Sequence, residues 1–292
     1  MNIKLNNPYR DASGEWIRGS FHSHCQENSS CSSVPLAESV RLYHELGVGF
    51  IGVTDHDCVT DLAAMRAAYP DIVFIEGFEY SRCENVLFVG EGAAAVLELP
   101  LRSAVANAAR LLTILCHPEP RPGGEYWTLD KVLGLIGRMP DGVEVYNGHY
   151  GIARMTAAGT CPLYTRFWDE LLTAGHRVWG FANDDFHEAP DLDNAFNMVL
   201  VEQAAPAAII EAAKNGRSYA STGLLLDGVE ERAGRIIVTT ADPCVGRFIG
   251  PGGQALSQSE GTRFEHAPAG EAYVRFEAEA GQRRLFLQPM FS

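Results

Sequence analysis

A parallel α/β fold followed by a small antiparallel β unit is predicted by three observations. Short apolar runs recur along most of the chain, stretches of helical spacing lie between them, and the alternation stops after about residue 227. Runs this short and this apolar suit strands covered on both faces. A repeated strand, helix, strand order implies parallel pairing, hence an α/β barrel or a doubly wound sheet.

The predicted strands are WIRGSF (16–21), VGFIGV (48–53), DIVFIEG (71–77), LLTILC (111–116), GVEVY (142–146), RVWGFA (177–182) and NMVLV (197–201). NVLFVG (85–90) reads as an extra strand outside the alternation. The clearest helix is PLAESVRLYHELG, where Pro35 suits a first turn, Leu36, Val40, Tyr43 and Leu46 share one face, and Gly47 suits the end. DLAAMRAAY, LDKVLGLIGRM, PLYTRFWDELLTAG and PAAIIEAAKNG read the same way. Beyond them RIIVTTADP, AYVRFEAEA and RRLFLQPMF alternate without helical spacing. A boundary near 228 divides the chain into domains 1–227 and 228–292. The GPGG at 250–253 lacks the Lys-Ser/Thr and the helix of a phosphate loop and reads as a turn.

The net charge of −14 excludes nucleic-acid duplexes and anionic membranes as partners held by bulk electrostatics. Any phosphate handled here needs a local positive centre. With no apolar leader at the amino terminus and no uncharged apolar run long enough to span a bilayer, a cytoplasmic location is expected. The seven cysteines lack paired C-x-x-C spacing and read as free thiols.

Chemistry collects where the predicted strands end. The first leads into His22 and His24; the second into Asp55, His56 and Asp57; the third into Glu79; the fourth into His117. Glu144 lies in the fifth, with Asn147 and His149 after it, and the sixth leads into Asp184, Asp185 and His187. Parallel strands deliver their carboxyl ends to one face, so these groups converge. Imidazole and carboxylate without paired thiols suit Zn²⁺, Mn²⁺ or Fe²⁺. Burying so many ionisable groups together is costly without cations. The donors outnumber what one ion takes, which points to two, or three, divalent ions sharing a carboxylate.

The ordered series GSFHSH, GVTDHD, EGFE, CHPE and NDDFH resembles the motifs of the polymerase and histidinol phosphatase (PHP) domain of metal-dependent phosphoesterases, over about residues 17–190. The resemblance implies a distorted seven-stranded (β/α) barrel. It makes His22, His24, His56, Glu79, His117, Asp185 and His187 metal ligands, with Glu79 bridging. Asp55 and Asp57 become orienting groups beside His56. Two departures stand out. The family's Asp shortly after H-x-H is missing from SSCSS, and Asn85 stands where many members have a His after the bridging Glu. Glu144, Asn147 and His149 remain open as substitutes.

Metals acidify a shared water and stabilise developing negative charge, which reconciles phosphoester chemistry with an acidic chain. The expected activity is hydrolysis of a small phosphomonoester or a cyclic or nucleotide phosphodiester. His149 is the candidate proton donor, and Arg18, Arg121 and Arg154 are candidate phosphate contacts. The alternatives are an amidohydrolase-like metal-dependent hydrolase and a degenerate PHP domain with a binding or regulatory role.

Overall fold

The computed structural model describes residues 5–124 and 126–292. Its strands and helices follow one another as β1 (Glu15–Ser20), α1 (Leu36–Glu45), β2 (Phe50–Val53), α2 (Ala63–Ala68), β3 (Val73–Tyr80), β4 (Val86–Val89), α3 (Leu101–Asn107) and β5 (Leu112–Leu115). Then come α4 (Leu129–Lys131), β6 (Gly142–Asn147), α5 (Ala153–Ala157), α6 (Thr165–Thr173), β7 (Trp179–Asn183), β8 (Phe196–Val201), α7 (Pro206–Lys214) and β9 (Ser218–Ser221). Strands β10 (Leu226–Arg232), β11 (Arg235–Gly250), β12 (Gln254–His266), β13 (Tyr273–Ala280), β14 (Arg283–Leu287) and β15 (Met290–Phe291) complete the chain.

Helix α1 buries Val40 and Tyr43 and ends before Gly47, whose φ of 68 is the left-handed conformation that glycine adopts freely. The periodic stretch at 129–139 is less regular than its spacing predicts. After α4 it widens into a π turn over Val132–Ile136 and stops at Gly137. The GPGG segment is the turn joining β11 to β12, as expected.

Strands β1, β2 and β3 are parallel, as are β5, β6 and β7. The extra strand is real: β4 lies antiparallel between β3 and β5, buried along its whole length. Two expectations need correction. The seventh apolar run, β8, pairs antiparallel with β1. The sheet is also open rather than a closed seven-stranded barrel, with β7 at one end of its hydrogen-bonded order.

The open edge is bridged by side-chain amides. Asn197 on β8 accepts from Ala182 N–H at 3.0 Å and donates to Ala182 O at 2.7 Å. Gln288 does the same for Gly180, at 2.8 and 2.7 Å. Each amide stands in for a strand neighbour along the edge of β7. Gly180 is required there, because a Cβ would sit 2.8 Å from the Trp168 ring and 2.9 Å from Val145. At the carboxyl ends of β1 and β7 a single bridge, Ser23 with Phe186, brings their continuations together. We predict that Asn197→Leu costs about 2–3 kcal/mol, since it strands buried backbone groups. Urea unfolding reads this, and a loss below about 1 kcal/mol would mean that packing alone holds the seam.

Helix α7 lies across the sheet at the end opposite to the candidate site. Lys214 reaches Leu111 O at 2.6 Å and Asp141 at 2.9 Å, just before β5 and β6, while Ile209 and Ala213 join the core with Phe50, Leu112 and Phe181. The antiparallel strands after Leu226 build a second core around Tyr219, Val274, Phe276 and Leu285. They dock on α6 through Arg275, whose buried guanidinium grips Asp169 at 2.8 and 2.6 Å. Among the described residues no helix is long and apolar enough to cross a membrane.

Candidate metal centre

His22 and His24 leave β1 fully buried, and their Nε2 atoms approach within 3.1 Å. Asp185 Oδ1 lies 3.0 Å from His22 Nε2 and 3.1 Å from His24 Nε2, and Glu79 Oε2 lies 3.4 Å from both. Hydrogen bonds set the tautomers. His22 Nδ1–H donates to Glu144 at 2.8 Å. Ser29 donates its hydroxyl hydrogen to Asp55 at 2.6 Å, so its oxygen accepts from His24 Nδ1–H at 3.3 Å. Both Nε2 atoms therefore turn lone pairs toward two carboxylates.

Four acceptors facing one another repel unless a cation or protons lie among them. A tetrahedral ion with bonds of about 2.0–2.1 Å separates its ligands by about 3.3 Å, which matches these spacings. The buried Glu79 Oε2 has no hydrogen-bond partner, and neither has His56 Nδ1, although the two are 2.9 Å apart. The donor set fits divalent ions. Metal-free, burial lowers the pKa of His22 and His24, but Asp185 and Glu79 outweigh it and raise both.

Glu79 faces two ways. Its Oε1 accepts from Asn85 Nδ2 at 2.7 Å and lies 3.2 Å from His117 Nε2. The Asn85 amide, itself bonded to Tyr126, satisfies that oxygen without a further ion. On the other side, ligand atoms of His24, Cys31, His56 and His187 all lie within 4.8 Å of one another. For Cys31, burial raises the thiol pKa, but hydrogen bonds with His187 and His56 prevail and bring it down to about 7.

Surrounding groups hold this array in place. Glu144 accepts from His22, Asn183, Asn147 and the His117 N–H, the last at 2.6 Å. Asn147 also donates to Asp185 at 3.1 Å. Asp55 has no exposed surface and accepts from Cys25, Ser29 and Thr60, behind His24, whose Nδ1 is 4.0 Å from its Oδ1. Asp57 binds Ser81 instead. Asp184 turns away, accepting from Tyr43, Asp193 and Ala195. Burial pushes its carboxyl up to about 7. His117 and Asp185 have φ of 28 and 51, strained values for non-glycine residues that this bonding sustains.

The site opens into a cleft of about 490 Å³ lined by His117, Tyr126, His149, Tyr150 and Arg154 together with Cys31, His56, Glu79, Asp185 and His187 of the cluster. Residues beyond His187 take no part in that lining among those described. His149 Nδ1 is anchored on the buried Asp191 at 3.0 Å, and Arg154 on Glu188. Arg18 lies over Phe196 and pairs with Asp193, and Arg121 is exposed beside Pro120; neither lines the cleft. Sequence reasoning did not single out Ser29, Asp191, Asn183 or Cys31. Only Ser29 and Cys31 left a signal, their place in the stretch that lacks the expected carboxylate.

No family model and no curated protein matches the chain. Its fold is shared with a two-domain protein from Bacteroides vulgatus ATCC 8482, solved at 2.20 Å and described as containing a predicted PHP-like metal-dependent phosphoesterase. The TM-score is 0.54 at 17% identity, over 94% of this chain and 92% of that one. An amidohydrolase from Chromobacterium violaceum, solved with sulfate and no metal, matches with a TM-score of 0.39 at 13% identity, over 58% of this chain and 87% of that one.

Proposed function

We propose that this chain is a metal-dependent phosphoesterase acting on a small phosphomonoester or a cyclic or nucleotide phosphodiester. One observation carries the reading: two imidazole lone pairs and two carboxylates face one another at 3.0–3.4 Å at the carboxyl ends of β1, β3 and β7. His22, His24, Glu79 and Asp185 would hold one ion, and His56 and His187 a second. His117 stands by the other oxygen of Glu79, where Asn85 already donates, so two ions are proposed rather than three. When bound, divalent ions supply acidified water and positive charge opposite the developing oxyanion. In this reading the segment from about 228 buttresses α6 and stays out of the chemistry.

The chain's own residues do the rest. Arg154 is the one Arg or Lys lining the cleft among the described residues, placed to meet a phosphate oxygen after parting from Glu188. Tyr126 and Tyr150 flank His117 and narrow the approach. His149, with Nδ1 held by Asp191, keeps Nε2 for delivering a proton to the leaving oxygen. Burial lowers its pKa, but Asp191 and Asp185 outweigh that and raise it above the ordinary value, which favours the protonated form that a proton donor needs.

His149→Gln is expected to lower kcat about 10²-fold on an alkyl phosphate and far less on an aryl phosphate, whose leaving group needs no proton. Equal losses on both substrates would remove His149 from that role. The reading as a whole is tested by loading the chain with Mn²⁺ or Zn²⁺ and assaying a panel of phosphomonoesters and cyclic diesters. Bound metal with no ester cleaved would overturn it.

A further inference from the structure

The structure assigns Cys31 to the ligand set of the second ion, adding a thiolate to the imidazoles and the Glu79 carboxylate there. This rests on the reading that ions are held here, and it goes further in predicting which ions are preferred. Three observations carry it. The Cys31 sulfur lies with ligand nitrogens of His24, His56 and His187 in a group no more than 4.8 Å across. Tetrahedral bonds of about 2.3 Å to sulfur and 2.0–2.1 Å to nitrogen need separations of about 3.5 Å, which small side-chain adjustments supply. The buried, unpartnered Glu79 Oε2 points into the same space, 2.9 Å from His56 Nδ1.

The third observation is how the loop is held. Ser29 N–H bonds Cys25 O at 2.9 Å and Ser32 N–H bonds Ser29 O at 3.0 Å, so Cys31 lies in a closed turn. Ser33 N–H and the Ser32 hydroxyl then bond His187 O at 2.9 and 3.2 Å. The backbone that presents Cys31 is thereby tied to the residue it would share an ion with. Of the other thiols nearby, Cys25 donates to Asp55 at 3.0 Å, and the buried Cys116, 3.7 Å from Ile114 O, lies with His22 and Glu79 on the side of the first ion, which makes it the control.

On ion binding a sulfur–metal bond replaces the S–H bond and the proton leaves to solvent. A thiolate is a soft ligand, so the site favours Zn²⁺, Co²⁺ or Cd²⁺ over Mg²⁺ and Mn²⁺. Cobalt titration of the chelator-stripped chain tests this. Expected are a thiolate-to-cobalt charge-transfer band in wild type and Cys116→Ser, and no such band in Cys31→Ser or Cys31→Asp. Cys31→Asp should still bind cobalt, while its preference for Cd²⁺ over Mn²⁺ falls at least about tenfold. A band that survives in Cys31→Ser, or cobalt bound to wild type without the band, overturns the assignment and leaves the phosphoesterase reading standing. If wild type binds no cobalt at all, both fall.

Discussion

Replacing Glu79 by Gln is expected to lower kcat by about 10³-fold or more and to cut bound metal from about two ions per chain toward one. Glu79 Oε2 faces His22, His24 and His56, and Oε1 faces His117 and Asn85, so one carboxylate supports every part of the cluster. An amide keeps the shape and loses the charge. Metal analysis after dialysis, with a circular dichroism check of folding, separates this from unfolding. Full metal content in a folded Glu79→Gln chain would refute a shared carboxylate.

The same cluster makes metal uptake depend on pH. Burial lowers the His56 pKa, but Cys31 and Glu79 outweigh it and push it up to about 10. An incoming ion must displace that proton, so apparent affinity rises with pH and binding releases protons. For the metal-free chain the sign is the reverse. A raised imidazole pKa contributes stability that is fully present below the ordinary value of 6.5 and is lost as pH rises through about 10. Calorimetry in two buffers of different ionisation enthalpy counts the protons; none released would contradict the site.

Glu144→Gln is the second large effect, expected at about 3–5 kcal/mol of stability and 10–100-fold in metal affinity. The carboxylate accepts four hydrogen bonds with no exposed surface, and an amide nitrogen would face a donor whichever way it turned. Denaturation of the metal-free variant reads the first quantity and a metal titration reads the second. If the variant unfolds within about 1 kcal/mol of wild type, Glu144 does not organise the site as described.

Much of the site was legible because its residues sit at the ends of apolar runs, where periodicity locates them well. Glu79 and His117 needed nothing more than that. Strand direction was not legible from the apolarity of NMVLV alone. The segment between β7 and β8 held the clue: 184–195 has no helical spacing, and a parallel return needs a crossover, so β8 had to come back antiparallel. The closing amides were hidden for another reason. Asn197 and Gln288 are ordinary polar residues in strand-like context, and their partners at Ala182 and Gly180 are defined only in three dimensions. Ser29 and Asp191 act through several hydrogen bonds to other side chains and backbone groups, which no spacing rule marks.

Helix α7 covers the end of the open sheet opposite to the cleft, so the ligand cluster is approached through the cleft. A cleft with its mouth on one side receives the tips of molecules more readily than their middles, so on the phosphoester reading a terminal phosphate would be reached more readily than an internal linkage of a long polymer. Traffic runs both ways through that mouth. On the same reading, the phosphate of a monoester would leave against arriving substrate, and inorganic phosphate is expected to slow turnover of such substrates.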